Sequence, residues 1–354
     1  MREVENLARM APPLMAWYDV HKRTLPWRGE KDPYKIWVSE IMLQQTRVQA
    51  VLGYYARFMA KLPTVHDLAA VEEEELLKLW EGLGYYSRAR NLRRAAKMVV
   101  EQYGGEFPRT AAELKKLPGI GDYTASAIAS MAFDEPIAAV DGNLLRVASR
   151  VADIRDDIMQ EKTKREMRAL LNEVIDGARS GEWNQAMMDL GATVCLPNGA
   201  PLCEKCPLRR LCAAYRNGMT ELLPVRAAKA ARRVEERTVL LLFREGKFAL
   251  RKRPAKGLLA SLWEFPNDLG NLDEAGAAIA AAKLGLTAKS AERLESAKHI
   301  FTHVEWDMSG WFVEVTGEGE NLVWVDGAAL ERYAVPSAFR VYLAAARQRL
   351  EAER

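Results

Sequence analysis

Cysteine is scarce and confined: the 354-residue sequence has four, all between Cys195 and Cys212. That excludes a disulfide framework spread over the chain and points to a metal centre in a reducing compartment. No uncharged run is long enough to span a bilayer, and the N-terminal Met-Arg-Glu-Val-Glu-Asn has no apolar core of signal-peptide length. A cytoplasmic protein is therefore expected, with no membrane partner. Net charge is small as well, at +3. Attraction to a polyanion would have to rest on local clusters rather than on bulk charge. What remains is an ordinary globular composition, 49% hydrophobic and 28% charged, over a length that calls for two domains.

The chain is organised around the stretch from Leu117 to Asp141. The run from Ala111 to Leu117 ends at Pro118, and Gly119 and Gly121 allow a hairpin turn with unusual backbone angles. A second helix then starts near Asp122, with Tyr123, Ala127, Ile128 and Met131 at helical spacing, so one face of it is expected to be buried. Two short helices joined by a glycine turn offer free backbone N–H groups to phosphate and grip a nucleic-acid backbone without reading its sequence. An ordinary helical hairpin is the competing reading. Pro136 is expected to stop the second helix, and Asp141-Gly142-Asn143 opens another, with Asp141 as N-cap. A carboxylate at a helix N-terminus is favoured as the anion, the state that stabilises a sugar oxocarbenium ion.

Leu-Pro-Gly-Ile-Gly followed about twenty residues later by Val-Asp-Gly-Asn resembles the helix-hairpin-helix, Gly/Pro-rich loop and aspartate signature of DNA glycosylases. Upstream, Ser39-Glu40-Ile41-Met42-Leu43-Gln44-Gln45-Thr46 closely resembles the catalytic helix of the MutY family of adenine glycosylases. On residues alone Glu40 would sit on a solvated polar stripe. The resemblance implies instead that Glu40 protonates the departing adenine and that Gln45 and Tyr85 enter the base stack. It implies an adenine pocket built partly from Trp27, Arg28, Leu43 and Gln185, the last a departure from the glutamate of many relatives. Arg88, Arg90, Arg93, Arg94 and Lys97 form a basic run suited to phosphates, although such runs are more often solvated faces. Strand-cleaving relatives such as endonuclease III carry a lysine where this chain has Tyr123, and a tyrosine cannot form the Schiff base that lyase chemistry requires.

The cysteines stand as C-x7-C-x2-C-x5-C: Cys195, Cys203, Cys206 and Cys212. Structural zinc generally uses two paired-cysteine knuckles, and only one pair is present, so a [4Fe-4S] cluster is the better reading. The related families have one residue fewer in the first loop, here Leu-Pro-Asn-Gly-Ala-Pro-Leu, and an Asn-Gly turn can absorb the insertion. That loop also lacks the basic residues usual in relatives; Lys205, Arg209 and Arg210 could substitute.

Residues 220–236 lose periodicity and read as a linker between a helical glycosylase domain at 1–219 and a smaller α+β domain at 237–354. There, Glu245-Gly246 separates two apolar runs as a hairpin; a helix is expected over 273–284, strands near 298–315 and 322–325, and a helix from Ser337. Gly257 to Pro266 resembles the opening of a Nudix fold, but the stretch from Ala275 to Leu284 has no carboxylate for Mg²⁺, so phosphohydrolase activity is not expected. By the MutY resemblance, Phe301-Thr302-His303 would read 8-oxoguanine, with threonine in place of serine.

The fold expected is thus an α-helical helix-hairpin-helix glycosylase domain with an iron-sulfur cluster, followed by a Nudix-like domain. The resemblance implies a monofunctional, monomeric, nucleoid-associated enzyme acting on double-stranded DNA with adenine opposite 8-oxoguanine or guanine. Glu40 would be its acid and Asp141 its electrostatic stabiliser, with Tyr123 and Asn143 beside them. Leu117, Gly119, Gly121, Arg88, Gln45 and Tyr85 would contact DNA. An endonuclease III-like enzyme for oxidised pyrimidines and a non-catalytic DNA-binding scaffold are the alternatives.

Overall fold

The helices Pro33–Leu43, Asp122–Phe133 and Ser180–Thr193 carry mostly small and apolar residues, a composition that suits burial on most sides. In the computed structural model, which describes residues 4–227 and 231–352, they form the centre of a helical unit. The helix Ser180–Thr193 packs against Ala11–His21, Asp122–Phe133 and Gly142–Ala152, while Pro33–Leu43 packs on Asp122–Phe133. Two glycines let Ser180–Thr193 approach closely. A Cβ on Gly181 would lie 2.7 Å from the Ser130 carbonyl oxygen, and one on Gly191 would lie 2.6 Å from the Asn143 Cβ. Helix starts follow the sequence: Pro33 occupies the first turn after Asp32, whose side chain accepts from Tyr34 N–H. The helix Asp122–Phe133 differs from expectation at both levels. Every residue from Thr124 to Met131 is buried, not one face, and the left-handed Asp134 (φ 57°) ends it before Pro136 is reached.

The structure divides into two compact units, Met1–Ala70 with Asn91–Ala228, and Val71–Arg90 with Lys229–Arg354. The sequence-based boundary differs in two places. Val71–Arg90 joins the C-terminal fold, and the first strand begins at Arg233, inside the stretch read as linker.

The second unit holds a seven-stranded sheet: β1 (Arg233–Arg244), β2 (Lys247–Lys252), β3 (Trp263–Glu264), β4 (Asn267–Leu269), β5 (Thr287–Ile300), β6 (Val304–Thr316) and β7 (Val323–Val325). The order is β3-β2-β1-β6-β5, with β4 on β1 and β7 on β2. Only β1 and β6 run parallel among these pairs. Alternation along β1 serves both faces. Val239, Leu241 and Phe243 meet Tyr342 and Ala346 of the helix Arg340–Ala352 on one side. Leu240 and Leu242 meet Ala277 and Ala281 of the helix Glu274–Ala282 on the other. The expected Glu245-Gly246 turn joins β1 to β2, both residues at positive φ (48° and 73°) as a two-residue hairpin requires. The helix after the Nudix-like opening starts one residue earlier than the carboxylate-free stretch, so it carries Glu274 in its first turn and is capped by Asp273.

Candidate active site

Glu40 lies in the middle of Pro33–Leu43, where Tyr34 and every residue from Ile36 to Met42 are buried, and is itself only 5% exposed. The solvated stripe is absent. Tyr123, in the first turn of Asp122–Phe133, donates its hydroxyl hydrogen to Glu40 Oε2. Burial pushes the Glu40 carboxyl above the usual glutamate range; the Tyr123 hydrogen bond and the Arg28 charge pull it down, and the Asp141 charge pushes it further up. Burial and the two nearby carboxylates hold Tyr123 well above its ordinary value, so it is a neutral donor. Glu40, Tyr123, Asp141 and Arg28 therefore share one electrostatic neighbourhood.

Asp141 is the N-cap of Gly142–Ala152, as its sequence position implied. Its Oδ1 accepts from the N–H groups of Asn143 and Leu144, each at 2.8 Å, and its Oδ2 accepts from Asn143 Nδ2 at 2.7 Å. Capping and the helix terminus favour the anion. In the fold, burial pushes the Asp141 carboxyl up and those hydrogen bonds only partly offset it. Asn143 is anchored in turn: its Oδ1 accepts from Arg146 at 2.7 Å, and Arg146 also donates to the carbonyls of Gly191 and Cys195, both at 2.8 Å.

Of the pocket residues, Trp27 is buried edge-on to Tyr55, with ring centroids 5.1 Å apart. Gln185 is buried and accepts from the Tyr18 hydroxyl at 2.7 Å. Arg28 donates to Asp189 at 2.6 Å. Leu43, the last residue of the Glu40 helix, stays partly exposed.

The hairpin uses its glycines unequally. Gly119 has φ +78° and a Cβ there would lie 2.6 Å from Asn91 Cβ, whereas Gly121 is an extended N-cap (φ −91°) facing open space. Left-handed backbone is thus required at Gly119 alone. The Leu117 side chain is buried, leaving its backbone for any phosphate contact. Gln45 and Tyr85 both adopt positive φ, 56° and 44°, a conformation that costs a non-glycine residue on the order of 1–3 kcal/mol and clusters at functional sites. Arg88 departs from the phosphate-binding expectation. It is buried, donates to the carbonyls of Leu83 and Gly84 at 2.9 and 3.2 Å, and lies over the Tyr85 and Trp80 rings, so it props the turn from within.

In the second unit, Phe301, Thr302 and His303 form the tip between β5 and β6. Phe301 folds back edge-on to Trp306 at 4.8 Å and His299 at 4.5 Å, while Thr302 and His303 are exposed. The Thr302 hydroxyl is 2.6 Å from that of Tyr85, itself 46% exposed, within the same unit.

All four cysteines are free and partly exposed, and they line one pocket with Arg150. Arg150 donates to Cys195 Sγ at 3.1 Å and accepts at its carbonyl from Cys212 Sγ at 3.3 Å. Gly199, at φ +71°, forms the turn of the lengthened first loop. Burial pushes the Cys206 thiol up to about 12 and Cys212 up to about 11, and a bound metal would take both as thiolates. Among the described residues, no three His, Cys, Asp or Glu side chains stand close enough to share one metal ion.

Residues 38–175 match the HhH-GPD superfamily of base excision DNA repair proteins, and residues 238–345 match the NUDIX domain. The chain is 36% identical over 257 residues to the adenine DNA glycosylase of Buchnera aphidicola subsp. Baizongia pistaciae, covering 72% of each chain. This chain belongs to the adenine DNA glycosylase family. It is 40% identical to the mouse member of that family over 317 residues, 75% of this chain and 61% of the mouse protein. The chain thus spans about three fifths of the length of that relative, and of the rat, human and Arabidopsis ones. A thermostable thymine-DNA glycosylase structure superposes with a TM-score of 0.55 at 28% identity, covering 60% of this chain and 98% of that one.

For this adenine DNA glycosylase family member, sequence reasoning missed Tyr18, Arg23, Arg146, Asp189 and Gly191. Tyr18, Asp189 and Gly191 meet Gln185, Arg28 and Asn143 from distant parts of the chain, Arg23 pairs with Asp189, and Arg146 reaches Asn143 one helical turn away; no local motif marks such partners. No helix among the described residues is long and apolar enough to cross a membrane.

Proposed function

We propose that this protein is a monofunctional DNA glycosylase that removes adenine paired with 8-oxoguanine, or with guanine, from double-stranded DNA. The observation that carries the reading is Glu40, a buried carboxyl biased toward its protonated form and hydrogen-bonded by a tyrosine that stands where related lyases have lysine. Extruding a base costs a few kcal/mol, and Tyr85 and Gln45 would hold the vacated space. Glu40 then gives its proton to the adenine ring as the glycosidic bond breaks, with Tyr123 fixing the carboxyl orientation. Asp141, held by Asn143 and Leu144, stabilises the cation left on the sugar, and water completes the hydrolysis. The exposed Thr302 and His303 at the hairpin tip, with the Thr302 hydroxyl hydrogen-bonded to that of Tyr85, suit contacts to the base opposite.

Cys195, Cys203, Cys206 and Cys212 would hold a [4Fe-4S] cluster, whose iron–thiolate bonds would tie the 195–212 loop into one rigid piece. Single-turnover excision on duplexes carrying adenine opposite 8-oxoguanine, and thymine glycol in parallel, tests the reading. Strand breakage only after alkali and only on the adenine duplex is the expected result. Breakage without alkali, or on the oxidised pyrimidine, would overturn it.

A further inference from the structure

Asp189 is completely buried on the central helix Ser180–Thr193, yet it belongs to no motif. A buried carboxylate is retained only where partners compensate its desolvation. Here there are two. Arg23 donates to it through its backbone N–H at 3.1 Å, Nε at 2.9 Å and a terminal nitrogen at 2.7 Å, and Arg28 donates one terminal nitrogen at 2.6 Å. Arg23 thus grips Asp189 through three donors, whereas Arg28 is held by one terminal nitrogen and its buried Nε has no hydrogen-bond partner. We propose that Asp189 is a positioning residue: with Arg23 it fixes the Arg28 guanidinium near Glu40 and sets how much of that positive charge the acid feels. The proposal rests on the assignment of Glu40 as general acid.

The charged and titratable groups acting on Glu40 are Tyr123 from the helix Asp122–Phe133, Asp141 at the head of Gly142–Ala152, and Arg28 from the turn after Pro26. Those around Arg28 and Asp189 are Arg23 and, from Ala11–His21, Tyr18. Asp189 neutralises part of the Arg28 charge. Without it, Arg28 stabilises the Glu40 anion more strongly, so the acid loses its proton at lower pH. Removing Arg23 has the opposite sign, because Asp189 is then left to Arg28 alone.

The test follows single-turnover adenine excision against pH for the full chain, D189N and R23Q, with thermal melts. It is paired with a ¹³C titration of the Glu40 carboxyl in glutamate-labelled protein, assigned through E40Q. D189N is expected to lower the Glu40 titration and the alkaline limb of activity by about one pH unit, the scale of a nearby opposite charge. It should also slow excision at neutral pH about tenfold, and R23Q is expected to move both midpoints upward. A uniform loss of rate with unmoved midpoints, or both variants moving the same way, would overturn the proposal in favour of a merely structural anchor. If D189N does not fold, the sign of the R23Q shift decides. If the wild type removes no adenine, the functional reading falls, and the carboxyl titration still decides the positioning.

Discussion

The Glu40 neighbourhood and the β5–β6 tip, the two places proposed to meet a base in DNA, are built in opposite ways. Glu40 is 5% exposed among a tyrosine, an arginine and an aspartate, while Thr302 and His303 stand out in solvent on a hairpin anchored by Phe301. Moving a proton onto a base at neutral pH needs a carboxylic acid that has kept its proton, and burial supplies that. Reading an unextruded base needs groups that reach it, and exposure supplies that. The first site should be intolerant and electrostatic, the second tolerant and modest in effect.

The sharpest way to break this contrast is to remove the buried chemistry. Glu40→Gln and Asp141→Asn should each lower single-turnover excision by ~10²–10⁴-fold while duplex binding, followed by fluorescence anisotropy, is retained. Loss of binding instead would make both residues structural. Glu40→Gln should also melt at higher temperature than the wild type. The raised folded-state value means that ionising Glu40 weakens the fold as pH climbs from the ordinary glutamate range through the raised value; below that range the two proteins should melt alike. An E40Q melt that never exceeds the wild type would contradict the burial penalty.

A smaller effect is expected behind the site. Gly191→Ala places a methyl group against Asn143, the residue that donates to Asp141, and overpacking of this kind costs about 1–3 kcal/mol. Excision should fall together with stability, and a variant that is less stable but fully active would detach Asn143 from the chemistry. Tyr123→Phe removes the hydrogen bond that lowers the Glu40 value, so the alkaline limb of the pH–rate profile should move upward; an unmoved limb would mean that another group sets it. Smallest of all, Thr302→Val should change stability by no more than ~0.5 kcal/mol as an exposed substitution, and should alter only the preference for 8-oxoguanine over guanine. A large loss of adenine excision from plain mismatches would place the hairpin in the catalytic machinery.

Much of this protein is legible along the chain because it depends on neighbours in sequence. The N-cap at Asp141, the left-handed turn at Gly119 and the Glu245-Gly246 hairpin are local, and backbone sterics and capping chemistry fix them. Strand β5 was legible only at its end, since Thr287 to Ala297 is polar and largely exposed and so lacks the apolar alternation that marks a strand. Tertiary structure alone decided the rest. It buried Glu40 and thereby gave it the protonation bias of an acid, turned Arg88 inward beneath Tyr85, and joined Asp189 to two arginines more than 150 residues away. Desolvation and long-range pairing depend on what packs around a group, and that information is spread over the whole chain.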